Sequence, residues 1–306
     1  MTNEGRALRL MPPCVTVAHA LETEMAVNYE VEYNNRARVP DHQQIFDRWT
    51  AENATYRAQA HGAELDLRYG PSERQSMDIF PGAGDAATAP LAMFIHGGWW
   101  RSLAPSMFGQ LAAGPNKQGV TVAVVGYDLC PQVSIPAIIE EMRAACLWLW
   151  RKYRKRIMIY GHSAGGHLAA CMVATDWKTL DPGVPADLVP AAYAISGVFD
   201  LAPLLQISVN QDLKLTEKTA HACSPLYWSV PAGRSLDAVV GGLESSEFLR
   251  QSRTITEAWR QGPTQTRYEE IVGANHFTVV DPLSDGNSAM TRRVAELARG
   301  VAAITL

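Results

Sequence analysis

One serine stands in a five-residue pattern that can present a nucleophile at the end of a strand. Residues 161–165 read Gly-His-Ser-Ala-Gly, after an apolar run at 156–160 and before a small and apolar run at 166–173. This G-x-S-x-G pattern, in the order strand, turn and helix, places the serine in a strained turn that needs glycine neighbours. Ser163 is therefore predicted to be a nucleophile exposed to substrate at the carboxyl edge of a sheet.

A pair of glycines follows an earlier apolar run. Residues 91–95 are all apolar, and His-Gly-Gly-Trp-Trp follows them at 96–100. Acyl transfer builds negative charge on the carbonyl oxygen, which preorganised N–H groups stabilise. We predict an oxyanion hole made by the backbone N–H groups of Gly97, Gly98 and Ala164, since glycines let the backbone aim several N–H groups into one space. An ordinary Gly-Gly turn is the alternative, but it leaves the order of the two motifs unexplained.

One histidine occupies the place of a general base. His276 lies in a glycine-containing loop after a predicted strand at 268–272, and the base of such a site follows the serine along the chain. His162 and His167 are predicted to point away from the serine, and His96 to brace its own loop by hydrogen bonding. The remaining histidines lie outside any motif and are predicted to be surface or structural residues: His19, His42, His61 and His221.

A carboxylate after the preceding strand can hold this base in the correct tautomer. Glu244 follows the apolar stretch 236–240 and is predicted to be that acid. Asp281 comes after His276 in the chain, which is the wrong order. Three acids remain as competitors: Asp200, Asp237 and Glu247.

The elements that position these groups alternate between buried strands and helices. Continuous apolar runs are typical of parallel strands covered on both faces, so the pattern predicts an α/β fold with a mostly parallel sheet. Residues 1–62 are predicted to be an N-terminal helical extension packed on a domain at 63–306, with a lid-like insertion at about 197–230. The predicted elements are strands at 65–69, 75–80, 91–95 and 121–125, and helices at 40–60, N-capped by Asp41, and at 136–152.

Composition narrows the class of protein. With 306 residues, 47% of them hydrophobic, the chain can bury one large core. The net charge is −4, and the one basic cluster, at 151–156, is interpreted as a helix end stabilised by the helix dipole. We therefore expect no nucleic-acid partner.

Cysteine usage and hydropathy bear on the compartment. Five cysteines, at 14, 130, 146, 171 and 223, form neither a disulfide framework nor a metal pattern, which suits a reducing cytoplasm. We expect no membrane span, because no run of eighteen apolar residues occurs. The N-terminus resembles a signal peptide, but Pro12 and Pro13 interrupt it, and we expect it not to be cleaved. No cofactor and no metal site are expected.

Five segments together resemble a known family. The chain is similar to the arylformamidase (kynurenine formamidase) branch of the α/β-hydrolases, which is related to hormone-sensitive-lipase-like esterases and N-acylanthranilate amidases. The resemblance runs from about residue 30 to residue 280 and implies an α/β-hydrolase fold with the same triad, Ser163, Glu244 and His276. Many members have aspartate at the position of Glu244. The segments are 32–36 (Glu-Tyr-Asn-Asn-Arg), 96–102, 161–167, 196–204 and 242–248.

The resemblance also implies a reaction. It is hydrolysis of an N-formyl or N-acetyl aromatic amine, such as N-formylkynurenine or an N-acylanthranilate, through an acyl-enzyme on Ser163. Arg101 is predicted to pair with a substrate carboxylate, with a salt bridge at the loop as an equal alternative. Aromatic residues near the motifs are predicted to form a flat pocket, with core packing as the alternative for each: Trp99, Trp100, Tyr127, Phe199 and Phe277.

Other functions remain open. A short-chain carboxylesterase of broad specificity is the main alternative, and a non-catalytic binding protein on the same scaffold is a second. A metal hydrolase is disfavoured, because no His, Asp or Glu cluster has ligand spacing. The expected partner is a small aromatic amide, with no nucleic acid and no membrane, and a homodimer is left open.

Overall fold

A central sheet organises the computed structural model, which describes Met1 and residues 27–304. Within these residues the sheet has eight strands in the order β1-β2-β4-β3-β5-β6-β7-β8. Strand β2 is antiparallel to both of its neighbours, and β3 to β8 are parallel to one another. The strands are β1 (Glu64–Arg68), β2 (Ser76–Phe80), β3 (Leu91–Ile95), β4 (Thr121–Val125), β5 (Ile157–His162), β6 (Ala191–Ile195), β7 (Ser235–Gly241) and β8 (Gln265–Ile271).

Helices cover both faces of this sheet. They are α1 (Tyr29–Tyr33), α2 (Asn35–Arg38), α3 (His42–Gln59), α4 (Ala113–Lys117), α5 (Ile135–Tyr153), α6 (Ala164–Val173), α7 (Trp177–Leu180), α8 (Asn210–Leu213), α9 (Glu217–Ala222), α10 (Ser246–Arg260) and α11 (Ala289–Ala302). Strand β3 shows why its sequence is apolar throughout: Met93 belongs to the hydrophobic cluster under α5, α6 and α10, while Phe94 belongs to the cluster under α3 and α11. The predicted fold class, a mostly parallel sheet flanked by helices, is confirmed.

The N-terminal helices pack on the core. Helix α3 agrees closely with the prediction, although the Asp41 side chain at its N-cap makes no capping hydrogen bond. Helices α1 and α2 lie within the extension that was predicted to be helical, but their bounds were not predicted; Asn28 and Asn34 cap them by accepting from backbone N–H groups. Tyr33 at the end of α1 donates a hydrogen bond of 2.9 Å to Glu247 on α10. The division at residue 62 stays a prediction, and residues 2–26 lie outside the described part of the chain.

The stretch predicted to be a lid lies between β6 and β7. It contains α8, α9 and two 3₁₀ turns, Ala202–Gln206 and Pro225–Tyr227. Side chains from its first half are buried against the core, including Leu204 and Leu213. Its function as a lid stays a prediction.

The described residues also bear on membrane insertion, metal binding and cysteine pairing. No helix within Met1 and residues 27–304 is long and apolar enough to cross a membrane. In the same residues, no group of three or more His, Cys, Asp or Glu side chains could hold a metal ion. The described cysteines are buried free thiols, namely Cys130, Cys146, Cys171 and Cys223. Cys14, His19 and the signal-like stretch lie outside the described residues.

Candidate active site

The turn between β5 and α6 holds Ser163 in a strained conformation. Its φ of 57° and ψ of −118° are rarely adopted by a residue with a side chain. The two glycines of the pattern are required by close packing. A Cβ on Gly161 would lie 2.3 Å from the Gly165 carbonyl oxygen, and a Cβ on Gly165 would lie 1.9 Å from the Ile95 oxygen. The G-x-S-x-G spacing is therefore needed to bring β3, β5 and α6 together around the serine.

Three side chains distant in sequence form one hydrogen-bonded chain. His276 Nε2 lies 3.1 Å from Ser163 Oγ, and His276 Nδ1 lies 2.6 Å from Glu244 Oε2. All three residues are buried. The order acid, imidazole and hydroxyl is the arrangement in which an imidazole can take a proton from an attacking serine while a carboxylate stabilises the resulting imidazolium.

The carboxylate of Glu244 is held by two further donors. Its Oε1 accepts from Ser196 Oγ at 2.5 Å and from the backbone N–H of Gly241 at 2.7 Å. These bonds leave Oε2 for His276. Ser196 was missed in the sequence, although its place directly after β6 parallels the serine position after β5 and was the available signal.

The competing acids are engaged elsewhere. Asp237 pairs with Arg293 and Arg267, Glu247 pairs with Arg250, and Asp281 pairs with Arg48. Asp200 accepts from the N–H of Ala202. Of the acids considered from the sequence, the structure places Glu244 against His276.

The loop after β3 is braced from one side. His96 Nδ1 contacts the Gly97 carbonyl oxygen at 2.7 Å, and Tyr127 Oη donates to the His96 carbonyl oxygen at 2.8 Å. Because a trans peptide points its N–H away from its C=O, the N–H groups of Gly97 and Gly98 face the opposite side. Within the described residues these two N–H groups and that of Ala164 have no hydrogen-bond acceptor. They are the three donors that the sequence assigned to an oxyanion hole.

Substituting Gly97 tests this loop. A Cβ there would lie 2.9 Å from Ser163 Cβ and 2.9 Å from the His162 carbonyl oxygen, so the loop must shift. We expect Gly97→Ala to lower kcat by about 10²–10³-fold, the cost of losing an oxyanion donor. Gly300→Ala, where a Cβ meets open space on α11, is the matched control. Equal rates for the two variants would contradict the assignment of this loop.

Buried histidines surround the site. His162 does not point away from the serine as predicted: it lines the same cavity as Ser163, and its Nε2 contacts the His276 carbonyl oxygen at 2.8 Å. His167 Nε2 contacts the Cys223 oxygen at 2.7 Å, away from the serine. Burial lowers the pKa of His96 to about 3 and that of His167 to about 4, and burial followed by the charge of His276 places the pKa of His162 well below its usual range.

These neutral histidines predict acid sensitivity. In the unfolded chain they bind protons near pH 6.5, whereas in the folded protein they stay neutral at far lower pH. Their contribution to stability is therefore complete above pH 6.5 and is lost as pH falls from 6.5 toward the folded values. In that pH range, each of these histidines lowers the free energy of unfolding by up to about 1.4 kcal/mol per pH unit. Calorimetry should show a clearly lower Tm at pH 5.5 than at pH 7.5. The control variant His61→Gln, which removes an exposed histidine, should show the same fall in Tm between these pH values. An equal Tm at both pH values in the wild type would contradict the prediction.

A cavity of about 180 Å³ opens onto Ser163 and His276. Trp99 and Phe277 contribute to its wall, as the sequence predicted. Trp100, Tyr127 and Phe199 do not line it, and their side chains are fully buried. The predicted substrate contacts of these three residues are therefore corrected: Trp100 packs edge-on against His167, Tyr127 stacks on His96, and Phe199 packs against Gly197.

The cavity wall also includes Arg101, which was predicted to bind substrate, and several residues that were not predicted from the sequence. Arg101 lines it, but its guanidinium forms a 2.5 Å salt bridge with Asp212, the alternative weighed for it. The first helices contribute a large part of the wall, and the segment 207–209 closes another side. The resemblance of residues 32–36 to a family segment was the available signal. The wall residues that the sequence did not predict include Glu30, Asn35, Arg36, Phe46 and Ser208.

The chain is similar to several known proteins. The BD-FAE family model matches residues 77–222. Kynurenine formamidase of Danio rerio is 28% identical over 240 residues, covering 76% of this chain and 81% of the relative. Kynurenine formamidase of Drosophila melanogaster is 28% identical over 260 residues, covering 81% and 86%.

Solved structures add two further likenesses. A protein from Silicibacter sp. TM1040, provisionally described as a thioesterase, is 30% identical, with a TM-score of 0.77 over 88% of this chain and 99% of that chain. An esterase of the bacterial hormone-sensitive lipase family is 20% identical, with a TM-score of 0.64 over 86% and 98%, which supports the fold alone. Its sheet order, the turn around Ser163 and these likenesses together make the chain an α/β-hydrolase that is similar to kynurenine formamidases.

Proposed function

We propose that this hydrolase cleaves the amide bond of an N-formyl or N-acetyl aromatic amine through an acyl-enzyme on Ser163. N-formylkynurenine and the N-acylanthranilates are representative substrates. The observation that carries the proposal is the chain from Ser163 through His276 to Glu244 at the floor of a cavity with aromatic walls. The kynurenine formamidases among the relatives support the choice of an aryl formamide.

Acylation begins with proton transfer from the serine. His276 Nε2 takes the Ser163 hydroxyl proton as Oγ attacks the acyl carbon, while Nδ1–H donates to Glu244. The carbonyl oxygen becomes an oxyanion beside the N–H groups of Gly97, Gly98 and Ala164. His276 then passes this proton on to the amide nitrogen, the carbon–nitrogen bond breaks, and the arylamine leaves.

Deacylation repeats these steps with water. His276 takes a proton from the water, the hydroxyl oxygen attacks the acyl-enzyme, and the acyl–Oγ bond breaks as Ser163 Oγ recovers the proton. The products are formate or acetate and a free arylamine. An aryl nitrogen is a better leaving group than an alkyl nitrogen, so a serine triad of the esterase type is sufficient for this amide.

The size of the cavity favours a small substrate. Its volume of about 180 Å³ lies below the usual range of about 300–1,000 Å³ for ligand pockets. Trp99, Phe46 and Phe277 give it flat apolar walls on which one aromatic ring can lie. These dimensions support a single ring carrying a one- or two-carbon acyl group.

A matched substrate panel tests the proposal. Purified protein would be assayed with N-formylkynurenine, with N-formyl- and N-acetylanthranilate, and with p-nitrophenyl acetate, each beside Ser163→Ala. The proposal expects anilide cleavage that the variant loses, and the formyl-to-acetyl ratio gives the acyl preference.

The same panel addresses the alternative of a short-chain carboxylesterase. The observation that favours this alternative is the number of esterases with the same fold. Rapid turnover of p-nitrophenyl acetate without anilide cleavage would select the esterase and reject the amidase.

A further inference from the structure

Helix α2 presents two polar groups that the proposed chemistry does not use. We propose that Asn35 and Arg36 form a subsite for a carboxylate on the amine part of the substrate. This inference rests on the proposed function, and it names the feature by which the cavity would select among aryl amides. It also moves the carboxylate-binding role from Arg101, where the sequence placed it, to the N-terminal helices.

The charges in the cavity wall are not equivalent. Arg101 is paired with Asp212, and Glu30 accepts from both the backbone N–H and the hydroxyl of Ser208, at 2.6 and 2.7 Å. Arg36 forms no salt bridge or side-chain hydrogen bond with the described residues. Among the charged groups described in this wall, Arg36 is therefore the one whose charge is available to an incoming anion.

Asn35 supplies an independent observation. The residue is only 5% exposed, it lines the cavity, and its Nδ2 has no hydrogen-bond partner among the described residues. A buried donor without an acceptor is unfavourable, and buried polar groups are nearly always paired. A substrate oxygen at this position would satisfy the donor, so the pairing is expected when ligand binds.

The position of Arg36 indicates which part of the substrate it contacts. Its guanidinium carbon lies 5.8 Å from the centre of the Phe46 ring, Phe46 lies edge-on to Phe277 at 5.1 Å, and Phe277 lies 5.5 Å from the His276 ring. The acyl carbon must lie against Ser163. Contacts through two aromatic side chains therefore connect the guanidinium with the base, and because Ser163 takes the acyl group, we place Arg36 against the arylamine part of the substrate.

The chemistry of these donors matches a carboxylate. A guanidinium presents several N–H groups in one plane, and the adjacent amide adds another. A charge-assisted hydrogen bond distinguishes a carboxylate-bearing ring from an unsubstituted one by about ten- to a hundredfold. Because such binding holds in both ground and transition states, its loss raises KM more than it lowers kcat.

The first experiment compares two anilides that differ by one carboxylate. Wild type, Arg36→Gln, Asn35→Ala and Arg38→Gln would be assayed with 2-formamidobenzoate and with formanilide. Arg38 is the matched control, since it lies on the same helix but outside this cavity wall. We expect the kcat/KM of Arg36→Gln to fall about ten- to a hundredfold more for 2-formamidobenzoate than for formanilide, with a smaller loss in the same direction for Asn35→Ala. Arg38→Gln should leave the ratio unchanged.

A second measurement does not depend on anilide turnover. Anthranilate should inhibit p-nitrophenyl acetate hydrolysis competitively in wild type, and the inhibition constant should rise at least about tenfold in Arg36→Gln. An unchanged substrate ratio together with unchanged inhibition would overturn the subsite while leaving amide hydrolysis intact. Failure of wild type to cleave either anilide would instead overturn the proposed function, and the subsite with it.

Discussion

Replacing Ser163 by alanine is expected to lower kcat for an aryl formamide by at least about 10⁴-fold. The hydroxyl is the atom that forms the acyl bond in the proposed mechanism, and His276 Nε2 lies 3.1 Å from it. Without Oγ, the N–H donors and the cavity still bind substrate, but attack must come from water. The KM should therefore change far less than kcat.

Covalent labelling tests the same nucleophile. A fluorophosphonate probe should label wild type on Ser163 and leave Ser163→Ala unlabelled, while Ser76→Ala on the distant strand β2 is labelled like wild type. Equal melting temperatures would show that Ser163→Ala is folded. If Ser163→Ala kept its amidase activity, or wild type resisted the probe, the non-catalytic alternative would regain support.

Replacing Glu244 by glutamine is expected to lower kcat by about 10⁴-fold, although the side chain keeps its shape. Oε1 receives two donors, Ser196 Oγ–H and Gly241 N–H, so the glutamine oxygen must occupy that position. Its NH₂ group then faces His276 Nδ1, which must accept instead of donate. The proton moves to Nε2, and the imidazole can no longer take the proton of the serine.

Two further variants test whether the carboxylate of Glu244, and not that of a rival acid, sets the tautomer of His276. Glu244→Asp keeps the carboxylate with a shorter reach and should retain more activity than Glu244→Gln. Asp200→Asn, a rival acid from the sequence that accepts from Ala202 N–H, should stay within a few-fold of wild type. A Glu244→Gln variant with near-normal kcat, or an Asp200→Asn variant with a large loss, would contradict the assignment of the acid.

Strand positions could be predicted because a strand that is buried on both faces appears in the sequence as a continuous, mostly apolar run. The runs 91–95 and 121–125 coincide with β3 and β4, since both strands are buried along their whole length and all of their residues except Thr121 are apolar. Helices α1 and α2 could not be predicted in this way. They have five and four residues, too few for a helical period, and asparagine side chains cap them.

The aromatic residues near the site show another feature that the sequence could not predict, namely which side chains line the cavity. Trp99 and Trp100 are neighbours in one loop, yet Trp99 lines the cavity while Trp100 is fully buried against His167. Both have φ angles near +50°, in the left-handed region that residues with side chains rarely adopt. Composition predicts that aromatic rings lie near the site, but only the backbone path decides which of them face substrate.

The residue types and chain order of the candidate triad could be predicted from the sequence, because each residue lies in the turn or loop that follows a strand and parallel strands end at one edge. The contacts between these residues could not be predicted from the sequence. His276 lies 113 residues from Ser163 and 32 from Glu244, so no local pattern can show which acid reaches it or that Ser196 holds that acid in place. The pairing of Arg101 likewise depends on Asp212, which reaches it from a distant segment. Local sequence determined the reactive groups and their elements, and long-range packing decided their partners.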